Sequence, residues 1–260
     1  MRKILLTSVG VAALAVSANA TDFTLSGTAK VKVADDGNTS VDVSTAIGVS
    51  KTFDNGMVLS LSNNNMGNAG ELTVKSDAIS VTFGDYDQNE KNPGLNGNAA
   101  SADISGDGIT AASHSNDGAI SLGATVAGLG IGAAMNNDGD TMFGASFTTD
   151  VGGMAVTIGG DVHSDNTSSL DETAMGVKAT IGSLVVVANS VQKEAAAGVD
   201  VTTYSAAYTT GGLVIGFQGA DNDASSYSAT YTIVPGMQFE IGSLDNGTTS
   251  TSSAELQMTF

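Results

Sequence analysis

The sequence predicts an all-β fold, a sixteen-stranded antiparallel transmembrane β-barrel, and three observations carry this prediction. Short segments alternate apolar and polar residues with period two, which is the pattern of strands that have one apolar face. Tight turns alternate with longer polar loops along the chain, as they do in barrels that span a membrane. The N-terminal segment has the features of a secretory signal, which directs a chain out of the cytoplasm.

Residues 1–20 are predicted to be that signal peptide. Arg2 and Lys3 provide its positive start, an apolar run follows over residues 4–16, and Ala18-Asn19-Ala20 matches a cleavage site. The apolar run is too short to span a bilayer as a helix. We therefore expect a mature barrel domain over residues 21–260.

The charge balance of the chain excludes one class of function. The 260 residues include 27 Asp and Glu against 9 Lys and Arg, giving a formal net charge of −18. Beyond residue 20 every basic residue is Lys, and Arg is absent. Nucleic-acid binding requires a basic surface, so nucleic acid is not an expected partner. The chain also has no Cys, so disulfides cannot stabilise it.

Seven tight turns and eight longer loops divide the mature chain into sixteen predicted strands. These cover residues 22–33, 40–53, 57–63, 71–76, 78–85, 119–126, 129–135, 141–150, 154–162, 172–181, 184–191, 200–209, 213–220, 226–234, 237–244 and 252–260. The even number allows the first and last strands to pair and close the sheet, which leaves no backbone group unpaired in lipid. One loop, between the fifth and sixth strands, is much longer than the others and is predicted to be functional or disordered.

Charged residues on the polar face of the strands are predicted to line the lumen. They are Lys30, Lys32, Glu71, Lys75, Lys178, Glu240 and Glu255. The Lys residues either form a positive wall across from the long loop or pair locally with lumen acids, and the sequence leaves both arrangements open.

The chain resembles the general, non-specific porins of Gram-negative outer membranes, particularly the alphaproteobacterial kind. The resemblance rests on the hairpin of strands 71–76 and 78–85, which ends in Gly84-Asp85 and leads into the long loop, and on the terminal Phe260. It departs from the family pattern in having no Arg for the wall that faces the third loop. Its aromatic girdles are also thin, since Trp is absent.

The resemblance implies a third loop folded into the lumen, where its acids would narrow the pore. The candidate constriction residues are Asp85, Asp87, Glu90, Asp103, Asp107 and Asp117. Carboxylates at a narrow point favour cations. The resemblance also implies an outer-membrane homotrimer that passes small hydrophilic solutes, is inserted by the barrel assembly machinery, and uses Phe260 as its assembly signal. No reaction, catalytic residue or cofactor is expected.

Three alternatives bear on this interpretation. A secreted, acidic β-solenoid adhesin or surface-layer protein fits the composition, but the chain has no fixed short repeat. An outer-membrane enzyme would need a nucleophile motif, which is absent. The acidic loops at 136–140 and 221–223 have Ca²⁺ ligand types, although turn chemistry explains them equally well. His114 and His163 are the only histidines, and without Cys they predict no metal site.

Overall fold

A computed structural model describes residues 21–34, 39–63, 70–92, 117–166, 171–193, 200–221 and 223–259. The predicted signal peptide, the candidate constriction residues Asp103 and Asp107, and the predicted assembly signal Phe260 lie outside these ranges. Predictions about them therefore remain predictions. Among the described residues, no helix is long and apolar enough to cross a membrane.

The described residues form one closed sheet of sixteen strands. The strands are β1 Thr21–Ala34, β2 Thr39–Thr52, β3 Val58–Asn63, β4 Glu71–Lys75, β5 Ile79–Phe83, β6 Ile120–Val126, β7 Leu129–Met135, β8 Thr141–Val151, β9 Met154–Ser164, β10 Glu172–Ile181, β11 Leu184–Lys193, β12 Val201–Thr210, β13 Leu213–Ala220, β14 Ser225–Val234, β15 Met237–Asp245 and β16 Ser250–Thr259. The predicted strand number and order are confirmed, and the predicted ends fall within about two residues of the observed ones.

Every strand pairs antiparallel with its neighbours in sequence, and β1 pairs with β16 to close the barrel. In that closing ladder Lys32 lies opposite Glu255. Tight turns at one end permit the short hairpins. Between β6 and β7, for example, Ala127 and Gly128 both have positive φ, of 51° and 83°. Two consecutive positive φ angles match the twist of the flanking strands.

The two faces of the sheet differ in polarity, as the alternation predicts. Large apolar side chains point outward and are exposed, including Val41 at 66% and Val126 at 68%. Polar side chains such as Ser121 and Asp161 point inward and are buried. The described chain therefore places its apolar band outside and its polar groups inside, which is the arrangement of a barrel in lipid.

Candidate functional site

The long loop begins with a compact turn after β5. Gly84 has a φ of 93°, and a 3₁₀ turn follows over Asp87–Asn89. The Asp85 carboxylate accepts a hydrogen bond from the backbone N–H of Asp87 at 3.0 Å, and the N–H of Glu90 donates to the Asp87 carbonyl at 3.1 Å. These local bonds give the chain a fixed direction as it leaves the strand. We call residues 86–92 the loop start.

Side-chain hydrogen bonds hold the loop start against the inward face of the barrel. The Asn89 amide accepts from Ser80 on β5 at 2.9 Å and donates to Ser121 on β6 at 3.0 Å. The Asn92 amide donates to Asn189 on β11 at 2.6 Å. The loop start therefore crosses the inner wall from β5 to β11.

Asp161 on β9 is the strongest anchor of the loop start. One carboxylate oxygen accepts the backbone N–H of Lys91 at 2.7 Å, and the other accepts that of Asn92 at 2.5 Å. Asp161 is almost fully buried, so the two N–H groups and the carboxylate satisfy each other out of water. Hydrogen bonds to a charged acceptor are stronger than neutral ones.

A row of glycines makes the space in which this segment lies. Gly123 on β6, Gly132 on β7 and Gly144 on β8 lie directly opposite one another, and the row continues onto Asp161. We call these three residues the glycine row. A Cβ atom at Gly132 would overlap the carbonyl oxygen of Asn89, and one at Gly144 would overlap the Asp161 carboxylate. The inner wall therefore has no side chains at the positions over which the loop start passes.

Acids and a histidine gather beside the glycine row. The Nε2 atom of His163 lies 3.4 Å from Glu90 Oε1, and the ring centroids of His163 and Tyr86 are 6.0 Å apart. His163 is fully buried and the Glu90 side chain is 7% exposed. Burial, followed by the neighbouring carboxylates, of which Asp87 has the largest effect, raises the pKa of the Glu90 carboxyl to about 8.

Lys91 brings a positive charge into this region. Its aliphatic chain lies against β7, where a Cβ atom added at Gly132 would lie 3.1 Å from Lys91 Cε. Burial lowers the pKa of the Lys91 ammonium, and the Asp161 carboxylate opposes that shift. The described loop start therefore contributes both signs of charge to the inner wall.

The predicted loop acids are only partly brought together. Asp85, Asp87 and Glu90 lie in one short segment at the beginning of the loop. Asp117 lies at its other end, where its carbonyl accepts the N–H of Asn137 at 3.0 Å. Because residues 93–116 lie outside the described ranges, the folding of the whole loop into the lumen stays a prediction.

The predicted lumen residues share the inward face, and one Lys has a local partner. Lys30 Nζ lies 3.3 Å from Glu255 Oε1 across the β1–β16 pair. Glu240 accepts a hydrogen bond from the Thr230 hydroxyl at 3.2 Å. Of the two arrangements that the sequence leaves open, the position of Lys30 favours local pairing. Glu71 and Lys75 share one face of β4, and Lys178 lies opposite Thr157 in the β9–β10 ladder.

One of the two predicted Ca²⁺ loops has its oxygens occupied by donors of the chain. The Asp140 carboxylate accepts the Asn136 amide at 2.8 Å and the Asn166 backbone N–H at 3.0 Å. The Asn166 amide also donates to the Asp138 carbonyl at 3.1 Å. This geometry supports turn chemistry at residues 136–140, and Ca²⁺ binding by the acidic loops remains a prediction.

Sequence reasoning missed the anchors of the loop start. Nothing in the sequence distinguishes these anchors from other polar residues, because only the fold brings them together. The anchors are Asn89, Asn92, Asp161 and Asn189. The glycine row did leave a signal, because three inward glycines on consecutive strands fall opposite one another once the hairpin registers are drawn. Their alignment indicates a close approach of backbone to the wall.

Comparison with known proteins shows which fold this barrel has. No protein-family model matches the chain, and neither does any curated protein. Solved structures match along nearly its whole length. A mutant of the Rh. blastica porin with three substitutions has a TM-score of 0.67 at 11% identity, covering 92% of this chain and 100% of that one. The chain has the porin fold.

Two further structures support the porin fold. A Rhodopseudomonas blastica porin triple mutant gives a TM-score of 0.65 at 12% identity, and a structure described under asymmetric conductivity of engineered proteins gives 0.67 at 11%. Each covers 92% of this chain and 100% of its own. The resemblance inferred from the β4–β5 hairpin and the long loop is thus confirmed for the fold of this chain.

Proposed function

We propose that the protein forms a water-filled channel in the outer membrane of a Gram-negative bacterium and passes small hydrophilic solutes by diffusion. The observation that carries the proposal is the closed sixteen-stranded barrel with an apolar outward face and a polar inward face. Barrels of this strand number are wide enough to leave an aqueous channel. The predicted signal peptide and the porin fold support the location.

The channel is proposed to prefer cations. The chain has 27 acidic residues and, beyond the predicted signal peptide, only seven Lys as basic residues. Asp161 and Glu255 lie on the inner wall, and Lys91 and Lys30 offset part of their charge. A narrow lumen with low-dielectric walls strengthens the remaining negative potential. The long loop is proposed to narrow the lumen further through Asp103 and Asp107.

Assembly as a homotrimer, and insertion by the barrel assembly machinery through Phe260, belong to the same proposal. The porin fold of the chain supports oligomeric assembly. A secreted β-solenoid adhesin is not favoured, because a solenoid stacks repeats whereas this chain pairs antiparallel hairpins into a closed barrel. No residue is assigned a catalytic role.

Single-channel recording in a planar bilayer tests the proposal. The purified protein should give discrete conductance steps, and reversal potentials in a KCl gradient should favour K⁺ over Cl⁻. The preference should be strongest in dilute salt, because the screening length falls from about 30 Å at 0.01 M to about 3 Å at 1 M.

A pair of double variants locates the source of the selectivity. Asp103→Asn with Asp107→Asn should reduce the K⁺ preference. The matched control, Asp138→Asn with Asp223→Asn, removes the same charge from outer loops and should leave it nearly unchanged. A wild-type pore that prefers Cl⁻ would contradict the proposed selectivity, and the absence of conductance steps would contradict the channel itself.

A further inference from the structure

Three side chains of metal-ligating type meet where the loop start crosses β9. They are Asp87 and Glu90 from the loop start and His163 from β9. One ligand atom from each lies within 4.8 Å of the other two. His163 is fully buried and Glu90 nearly so, which distinguishes this group from acids scattered over a solvated loop. The group is built from two segments that are far apart in the chain.

The spacing of this group matches a compact coordination sphere. Two ligands that are each about 2.0–2.1 Å from a tetrahedral zinc ion lie roughly 3.4 Å apart. His163 Nε2 and Glu90 Oε1 are separated by 3.4 Å. That separation is longer than the roughly 2.7–2.9 Å of a charge-assisted hydrogen bond. The histidine and the carboxylate are therefore spaced as two ligands of one ion.

The surrounding charge also favours a divalent cation. Glu172 on β10 lies directly opposite His163 in the β9–β10 ladder, and it is buried. Asp161 is two residues from His163 on the same face of β9 and is buried as well. Buried carboxylates are costly unless they are paired or coordinate a metal. The backbone N–H groups of Lys91 and Asn92 bind Asp161, whereas Asp87 and Glu90 direct carboxylate oxygens toward His163.

We propose that Asp87, Glu90 and His163 bind one first-row transition-metal dication, with Zn²⁺ as the reference ion. An imidazole ligand selects this class over Ca²⁺ and Mg²⁺, which take oxygen ligands. Three protein ligands leave a fourth position for water. The ion would fasten the loop start to β9 next to the Asp161 anchor. The sequence predicts no such site, because it has no Cys and because the acids and the histidine meet only in the folded barrel.

Cobalt binding to the full-length protein in detergent tests the proposal without any conductance measurement. Co²⁺ replaces Zn²⁺ in such sites and absorbs visible light when it is held by protein ligands. The wild-type protein should bind one Co²⁺ per chain near neutral pH, and Zn²⁺ should displace it. His163→Gln should weaken binding by more than about 100-fold, since the loss of even an outer partner of a metal ligand costs about 10–100-fold. Asp87→Asn and Glu90→Gln should also weaken it.

His114→Gln is the matched control, because His114 is the other histidine of the chain. It should bind Co²⁺ as tightly as the wild type. The site is overturned if His163→Gln binds normally, if His114→Gln abolishes binding, or if Ca²⁺ displaces Co²⁺ as readily as Zn²⁺ does. Heat-modifiable migration of each variant checks that the barrel has formed. If His163→Gln fails this check, Glu90→Gln and Asp87→Asn decide the result. Since no current is measured, failure of the site and failure of the channel are distinguishable.

Discussion

Two regions of the inner wall share one alternation pattern but differ in environment. On β5–β11 the loop start covers the wall, and Ser121, Asp161 and His163 are at most 1% exposed. On β1 and β16 the inward charges remain open to solvent, with side-chain exposures of 42% for Lys30 and 21% for Glu255. We refer to these as the covered region and the open region.

The comparison shows that alternation sets which way a side chain points, whereas burial depends on what lies across from it. In the covered region, hydrogen bonds replace water and each polar group needs a partner inside the protein. In the open region, water and salt screen the same kinds of charge, so an ion pair contributes little. Equivalent substitutions in the two regions should therefore have very different effects.

The largest difference is expected at Asp161. Asp161→Ala removes the acceptor of two buried backbone N–H groups, and a hydrogen bond to a charged group contributes roughly 1.5–3 kcal/mol. The loop start should detach, which limited proteolysis of the long loop would detect as faster cleavage. Asp42→Ala, on the exposed inward face of β2, is the control and should leave cleavage unchanged. Equal cleavage of the two variants would remove the distinction between the regions.

A smaller effect is expected in the glycine row. Gly132→Ala adds a Cβ that overlaps the Asn89 carbonyl oxygen, and overpacking of this kind costs about 1–3 kcal/mol. On the same strand, the atoms nearest to a Cβ added by Gly130→Ala belong to the side chains of Ser146 and Lys91, which can move. Proteolysis of the long loop and the denaturant midpoint should change for Gly132→Ala and much less for Gly130→Ala. The reverse order would show that the loop start does not occupy this hollow.

The smallest effect is expected in the open region. Glu255→Gln breaks the contact with Lys30, but exposed ion pairs contribute about 0–1 kcal/mol. The denaturant midpoint should shift little, and any shift should vanish in high salt. A loss of stability as large as that of Asp161→Ala would show that the open region is also covered.

The fold could be predicted from the sequence because its signals are local. Period-two alternation and tight turns such as Ala127-Gly128 repeat along the chain, so strand number and order follow without any distant contact. The candidate site was harder to predict from the sequence. The sequence predicts Asp87 and Glu90 as constriction residues because they lie in an unusually long loop. Asp161, which binds Lys91 and Asn92, and His163, which lies beside Glu90, belong to β9. Only the closed barrel brings that strand beneath the loop start, and residue type alone does not encode such a meeting.

The bond between Asn92 and Asn189 has a consequence for the order of assembly. These side chains are 97 positions apart in the chain. A contact of such sequence separation forms only after the intervening strands, β6 to β11, have joined the sheet, because closing a long loop costs entropy before the contact repays it. An incomplete barrel that contains only β1 to β8 already has the glycine row. It lacks β9 and β11, the two strands that bind Asn92. The Asn92 end of the loop start is therefore secured late, after Asn89 has contacted β5 and β6, and until then water fills the interior of the incomplete sheet.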